Sequence, residues 1–150
     1  MNLYAHYEIE DAAQVASPSY YFSYIGNPEH ISIKSMYKNL LQGKLTLPAI
    51  YAKNNGAKVT LQTIDSSAFA GMSHLTHIYF EPNSSYTKIG SYAFSGCSAL
   101  THINWPNTIT VIDDHAFYEC SSLNVDELPP NLTHLKSHAF ANCGEGITIS

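Results

Sequence analysis

The chain has 150 residues, with 12 aspartates and glutamates, seven lysines, no arginine and a formal net charge of −5. Without the planar arginine fork that grips phosphate and guanine, and with net negative charge, it is a poor candidate for binding nucleic acid or an anionic membrane surface. No stretch approaches the ~20 apolar residues of a membrane-spanning helix, and one compact unit is the default at this length.

Residues 1–42 hold six of the eleven tyrosines: Tyr4, Tyr7, Tyr20, Tyr21, Tyr24 and Tyr37. Leu3, Ala5, Tyr7 and Ile9 alternate with polar neighbours, which reads as a strand. Ser19 to Ile25 is dense in aromatics and reads as a second strand, followed by a turn at Asn27-Pro28. From Ile31 a short strand or a helix both fit; Met36, Leu40 and Leu41 match a helix ending at Gly43. The first eight residues have neither a basic start nor an apolar run, so no secretory signal is expected. Three routes stay open: action inside the cell, incorporation into a virus particle, or trimming from a longer cell-surface protein. Gly43 to Pro48 reads as the tail of a degenerate coil, and Tyr51 to Lys58, rich in Asn and Lys, as an insertion.

From Ile64 a phrase returns four times: Ile64-Asp65-Ser66-Ser67-Ala68-Phe69, then phrases ending at Phe94, Phe117 and Phe140, spaced 25, 23 and 23 residues apart. Three residues after each Phe stand Met72, Cys97, Cys120 and Cys143; six after, Leu75, Leu100, Leu123 and Gly146; nine after, Ile78, Ile103, Asp126 and Ile149; eleven after, Phe80, Trp105 and Leu128. A fixed period of this length signals a solenoid, in which each repeat buries the apolar face of the next. Such a fold presents surfaces, which favours binding or scaffolding over buried catalysis.

The string from Ile89 to Pro106, Ile-Gly-Ser-Tyr-Ala-Phe-Ser-Gly-Cys-Ser-Ala-Leu-Thr-His-Ile-Asn-Trp-Pro, resembles the BspA-like leucine-rich repeats of bacterial surface proteins and phage-encoded proteins. The resemblance covers residues 43–150. It implies an α/β-type right-handed coil of four to five repeats, the first degenerate, with a parallel sheet on the concave face and short helical turns or irregular segments elsewhere. Residues 1–42 are then a non-repeat, β-containing cap over the exposed end coil, an attachment segment, or both; tyrosine suits contact surfaces because its rigid ring carries a polar tip.

Departures from the pattern carry their own expectations. Asp126 stands where the core wants an apolar residue, so either Val125 turns inward or the carboxylate finds a partner. Two extra residues around Glu81 to Tyr86 imply a bulged loop. Gly146 suits a fraying terminal coil. The cysteines share a phase with Met72, which can neither form a disulfide nor supply a thiolate, so they read as a buried free-thiol ladder rather than a metal site. Parallel Cβ vectors also disfavour a disulfide.

His77 and His102 share one outward phase of the sheet, and Tyr79 and Asn104 the next, with Val125 and Glu127 as the equivalents one coil on. Two histidines are too few for a typical zinc site, so a polar ladder is expected rather than a metal. His115 and His138 fall two residues before Phe117 and Phe140, after Ser67 and Tyr92, and read as a tolerant exposed position. No phosphate loop, nucleophile elbow or zincin pattern is present. The chain is therefore expected to be non-catalytic, without cofactor, and to bind a protein or glycan partner. The expected contacts are the concave-face residues His77, Tyr79, His102, Asn104 and Glu127, and the N-terminal Tyr4, Tyr7, Tyr20, Tyr21 and Tyr24. The alternative is a structural part of a bacteriophage tail, baseplate or head, held in an oligomer or larger assembly through residues 1–42.

Overall fold

The computed structural model describes residues 16–24, 30–124 and 127–144. The strand read over Leu3–Ile9, the turn at Asn27-Pro28, and the expectations for Val125, Asp126, Gly146 and Ile149 lie outside them. In chain order the strands are β1 (Phe22–Ser23), β2 (His30–Ile33), β3 (Gly43–Leu47), β4 (Ile50–Ala52), β5 (Lys58–Thr60), β6 (Thr63–Ile64), β7 (Leu75–Phe80), β8 (Lys88–Ile89), β9 (His102–Ile103), β10 (Val111–Ile112) and β11 (His134–Leu135). Single 3-10 turns cover Ser19–Tyr21 and Ser35–Tyr37.

Successive repeats stack, and their backbones are joined on three sides. The first side is the parallel ladder β2-β6-β8-β10-β11, which aligns Ile31, Ile64, Ile89, Ile112 and Leu135. Beside it a threonine repeats. The N–H groups of Thr87, Thr110 and Thr133 donate to the carbonyls of Gln62, Thr87 and Thr110 at 2.8, 2.8 and 2.9 Å. Their hydroxyls donate to the same carbonyls at 3.3, 3.3 and 3.1 Å.

The second side is the parallel sheet β3-β7-β9, with Leu45, Ile78 and Ile103 in register. The third side is irregular backbone around each phenylalanine. Phe69, Phe94 and Phe117 donate their N–H groups to Ala93, Ala116 and Ala139, each at 2.7 Å, and the residues two before and two after do the same to their counterparts. A buried backbone group without a partner costs as much as a lost hydrogen bond. Three ladders per repeat meet that demand without a helix.

Inside the three ladders lies one core. The phenyl rings of Phe69, Phe94, Phe117 and Phe140 stack 5.1–5.2 Å apart and within 8° of parallel, close to the ~4.8 Å separation of paired strands. Alanines 68, 93, 116 and 139 are buried beside them, because the backbone of the next repeat leaves room for only a methyl group. A further buried phase stands eight residues before each Phe: Leu61, Tyr86, Ile109 and the partly buried Leu132. Gly90 marks a tight crossing, where a Cβ would stand 2.7 Å from the Ile64 carbonyl oxygen.

Each cysteine thiol donates to the carbonyl of the phenylalanine one repeat back: Cys97 to Phe69 at 3.2 Å, Cys120 to Phe94 at 3.1 Å and Cys143 to Phe117 at 3.0 Å. Cys97 and Cys120 are buried and Cys143 half-buried, all three as free thiols. The neighbouring Cys143 and Cys97 thiols, together with burial, push the Cys120 thiol pKa up. The phase thus carries a donor as well as bulk.

Several local expectations are corrected. Residues after Ile31 form β2 and a 3-10 turn, not a helix ending at Gly43; Met36 and Leu40 are exposed at 67 % and 69 %. Their spacing with Leu41 imitates a helical face, but of the three only Leu41 packs against the described core. Ser19 to Tyr24 is a 3-10 turn followed by the two-residue β1, which pairs antiparallel with β2. Phe22 thereby brings its ring edge-on to Phe69 at 6.5 Å, below the phenylalanine stack. The insertion at Tyr51–Lys58 is the hairpin β4–β5. The loop from Glu81 is pinned by Tyr86, whose hydroxyl donates to the Pro48 carbonyl at 2.7 Å while the Glu81 carboxylate accepts from the Ala49 N–H at 2.8 Å.

Candidate functional site

The outer face of the three-stranded sheet collects the polar residues singled out in the sequence. In β7, Leu75, Ile78 and Phe80 are buried, while His77 and Tyr79 lie on the opposite face of the pleat. Gly43 pairs with Leu75 but Lys44 with His77, so Thr76 is an extra residue, a bulge that sets the register for the rest of the strand. Lys44, His77 and His102 then form one row across the sheet, and Thr46 and Tyr79 align in the next.

The imidazoles of His77 and His102 stack 5.6 Å apart at 27°, and the His77 ring also stacks on Tyr79 at 6.0 Å and 17°. Nδ1 of His77 lies 2.9 Å from the Thr76 hydroxyl. Partial burial, then His102 and Lys44, push the His77 pKa below the ordinary imidazole value. Imidazole coordinates metal through an in-plane lone pair, and two rings stacked face to face do not aim theirs at one point. Among the described residues no group of three or more His, Cys, Asp or Glu side chains could hold a metal ion.

Beyond His102 the face opens into a cavity of about 510 Å³, lined by His102, Asn104, Trp105, Asn124, Glu127 and Leu128, with Ile103 and Pro130. Trp105 fixes one wall: its indole N–H donates to the Glu127 backbone carbonyl at 3.0 Å, and its ring meets Phe117 edge-on at 5.7 Å. His102, Asn104 and Glu127 are thus brought to one cavity, with His77 and Tyr79 on the same face beside it. Trp105 and Asn124 were missed as lining residues. The signal was the repeat itself: at this phase Phe80 is buried, whereas Trp105 and Leu128 are only partly buried and so can line a cavity.

The tyrosines nearer the N-terminus form a separate group. Tyr20, Tyr21 and Tyr37 cluster with ring centres 4.9–6.0 Å apart. Tyr24 instead stacks on Tyr51 of β4 at 4.0 Å, and burial together with that neighbour pushes its phenol up to about 12. Tyr4 and Tyr7 lie outside the described residues. His115 and His138 prove to be rungs of another stack, Tyr92–His115–His138, at 4.8 and 4.9 Å. Their phase is less tolerant than expected, because Ser67, Tyr92, His115 and His138 all have positive φ, 57–58°.

The model of the BspA-type leucine-rich repeat region matches residues 34–149 in six copies. The chain belongs to the BspA-type leucine-rich repeat family. Its fold is similar to solved leucine-rich repeat proteins. One from Bacteroides ovatus superposes with a TM-score of 0.66 at 23 % identity, over 85 % of this chain and 33 % of that one. One from T. pallidum gives 0.58 at 22 %, over 85 % and 67 %. One from Bacteroides capillosus gives 0.57 at 23 %, over 69 % and 77 %. The chain therefore spans a third of the Bacteroides ovatus protein. No curated protein matches it. Leucine-rich repeat proteins generally mediate protein interaction or surface display and are generally non-catalytic. Among the described residues no helix is long and apolar enough to cross a membrane.

Proposed function

We propose that this chain is a non-catalytic interaction module that holds a protein or glycan partner, displayed at a cell surface, against the outer face of its three-stranded sheet. In this reading residues 43–150 form a right-handed solenoid with that sheet on the concave side, and residues 1–42 cap or attach it. The observation that carries the proposal is the continuity of the polar face. The row Lys44–His77–His102 and the neighbouring Tyr79 and Asn104 lead without interruption into the cavity walled by Trp105 and Glu127. Binding sites combine a concave shape, a few aromatic walls and a small number of oriented polar groups, and this face has all three.

The test is the triple variant His77→Ala, Tyr79→Ala and His102→Ala, in an array of host extracellular proteins and glycans probed beside the wild-type chain. All three side chains are at least partly exposed, so the melting curve should be retained. The expected result is loss of the wild-type chain's array signals, by about tenfold or more in affinity for removal of a contact cluster. Retention of every signal by a folded triple variant refutes the sheet-face reading.

A further inference from the structure

Charge is divided along the stack of repeats. Five of the seven lysines, Lys34, Lys38, Lys44, Lys53 and Lys58, fall within residues 34–58, and residues 30–60 contain no Asp or Glu. The described carboxylates, Asp65, Glu81, Asp113, Asp114, Glu119 and Glu127, all come later. Among the described residues none of those five lysines lies within ion-pair distance of a carboxylate, whereas Lys88 sits 3.4 Å from Asp113.

Exposed apolar side chains are divided the same way. Among the described residues five large ones are exposed; Tyr20, Met36, Leu40 and Ile50 belong to this basic end and Tyr92 to the rest. Met36, Tyr37, Lys38 and Leu40 share one tight turn, so cation and apolar groups alternate within a few residues. Lys34 stands between two cavities of about 620 and 610 Å³. One is lined by Ser23, Ile33 and Met36, the other by Tyr24, Ile50 and Tyr51, among others. Singly scattered apolar residues on a surface need no explanation, but a group of them rimmed by polar residues marks an interaction site; the charged rim here is Lys34 and, in the first cavity, Asp65, which sits 3.4 Å from His30.

We propose that this end of the molecule docks an acidic polypeptide segment bearing aromatic or aliphatic side chains. Its carboxylates pair with Lys34, Lys38 and Lys53, and its apolar side chains seat on Met36, Tyr37 and Leu40. Lysines without a carboxylate partner among the described residues steer an anionic partner in and fix its register, while the apolar anchors hold it. Two cavities that meet at Ser23 and Lys34 suit side chains entering one at a time, not a flat lipid surface. This surface is separate from the polar sheet face and does not depend on it.

The probe is a fluorescein-labelled random copolymer of glutamate and tyrosine, titrated by anisotropy with the full chain, beside labelled polyglutamate and vesicles of phosphatidylcholine with phosphatidylserine. The copolymer is expected to bind, and to bind about tenfold more weakly when salt rises from about 50 to about 500 mM. Lys34→Glu with Lys38→Glu, and separately Met36→Ser with Leu40→Ser, should each weaken it about tenfold. Lys136→Glu at the far end should change nothing. All substituted positions are exposed or half-exposed, and an unchanged circular dichroism melt verifies the fold. Absence of copolymer binding overturns the proposal, as do full affinity in both double variants, equal binding of polyglutamate, or preference for the vesicles. If the copolymer binds only to a chain carrying Glu8→Lys, Glu10→Lys and Asp11→Lys, the site is occupied by the molecule's own first residues, and the proposal of a separate partner fails.

Discussion

Replacing Glu119 with glycine should stabilise the protein. The residue two positions after each core phenylalanine is left-handed in all four repeats: φ is 78° at Gly71, 75° at Gly96, 60° at Glu119 and 59° at Asn142. This conformation turns its N–H toward the next repeat. Gly71 donates to Ser95 at 2.7 Å, Gly96 to Tyr118 at 2.8 Å and Glu119 to Ala141 at 2.9 Å. The ladder therefore imposes the conformation, and Glu119 adopts it with a Cβ that costs about 1–2 kcal/mol there. Glycine removes that strain but adds about 0.5–1 kcal/mol of unfolded-state entropy. The net gain is about 0.5–1 kcal/mol, a rise in melting temperature of about 1–4 °C for a chain of this size. Asparagine, which tolerates the region better than most residues, should gain less. The reciprocal change, Gly96→Ala, should lose about 1 kcal/mol. Its new Cβ would stand 3.7 Å from Gly71, an ordinary contact, so that loss is backbone strain alone. Urea unfolding followed by circular dichroism, with unchanged denaturant slopes, should rank Glu119→Gly above Glu119→Asn, then wild type, then Gly96→Ala. If Glu119→Gly does not raise the midpoint and Gly96→Ala does not lower it, the conformation at this phase is not what the ladder demands.

Three further outcomes are expected. Cys97→Ala and Cys120→Ala should each cost about 1–2 kcal/mol in urea unfolding, from a lost thiol bond and a small cavity, and Cys143→Ala less, because that thiol is half-buried; equal losses at all three would contradict the burial gradient. Tyr86→Phe should cost about 1–2 kcal/mol by leaving the Pro48 carbonyl without its donor, and limited proteolysis should then cut first in the loop beginning at Glu81. His77 has its pKa lowered from 6.5 by burial, His102 and Lys44. Below pH 6.5 the unfolded chain therefore binds more protons at this residue than the folded chain, and stability falls with pH, fully so once the pH is below the folded pKa. His77→Gln should narrow the gap between melting temperatures at pH 7.5 and pH 5, and an unchanged gap would show that His77 does not titrate differently on folding.

The features that could be read from the sequence were those in which one residue type recurs at one phase: the phenylalanine stack, the thiol ladder and the Leu-x-x-Ile strand. Two ladders went unread, the first because its identity drifts, the second because its residues serve through hydrogen bonds rather than apolar bulk. Eight residues before the phenylalanine the core accepts Leu61, Tyr86, Ile109 and Leu132, which share bulk but not shape. The threonine ladder begins with Gln62, which supplies only a carbonyl, so its first member does not announce it. From Ile31 the short strand forms, and the helix that also fitted Met36, Leu40 and Leu41 rested on spacing alone, since Met36 and Leu40 are exposed. The polar sheet face was legible down to Lys44, a neighbour whose place follows from the bulge at Thr76 and not from any period. Trp105 was read as core because its phase begins with Phe80, yet its indole bonds the Glu127 backbone and walls a cavity.

The division of labour within one repeat explains where specificity can reside. Packing fixes the phases at the phenylalanine, at one and eight residues before it, and at three and six after. Backbone conformation restricts the phases two before and two after. Hydroxyl bonds to the preceding repeat favour threonine seven before. Eight residues after the phenylalanine the half-buried His77 stacks on His102 of the next repeat; ten after, the described side chains are half-exposed or exposed. At eight after stand His77 and His102; at ten after stand Tyr79, Asn104 and Glu127. A ladder with no structural demand on it needs no repeated identity, and at ten after there is none: a phenol, an amide and a carboxylate follow one another toward the same cavity. That change of chemistry from rung to rung, on a scaffold that otherwise repeats its side chains, is what a partner could read to tell this chain from others built on the same repeat.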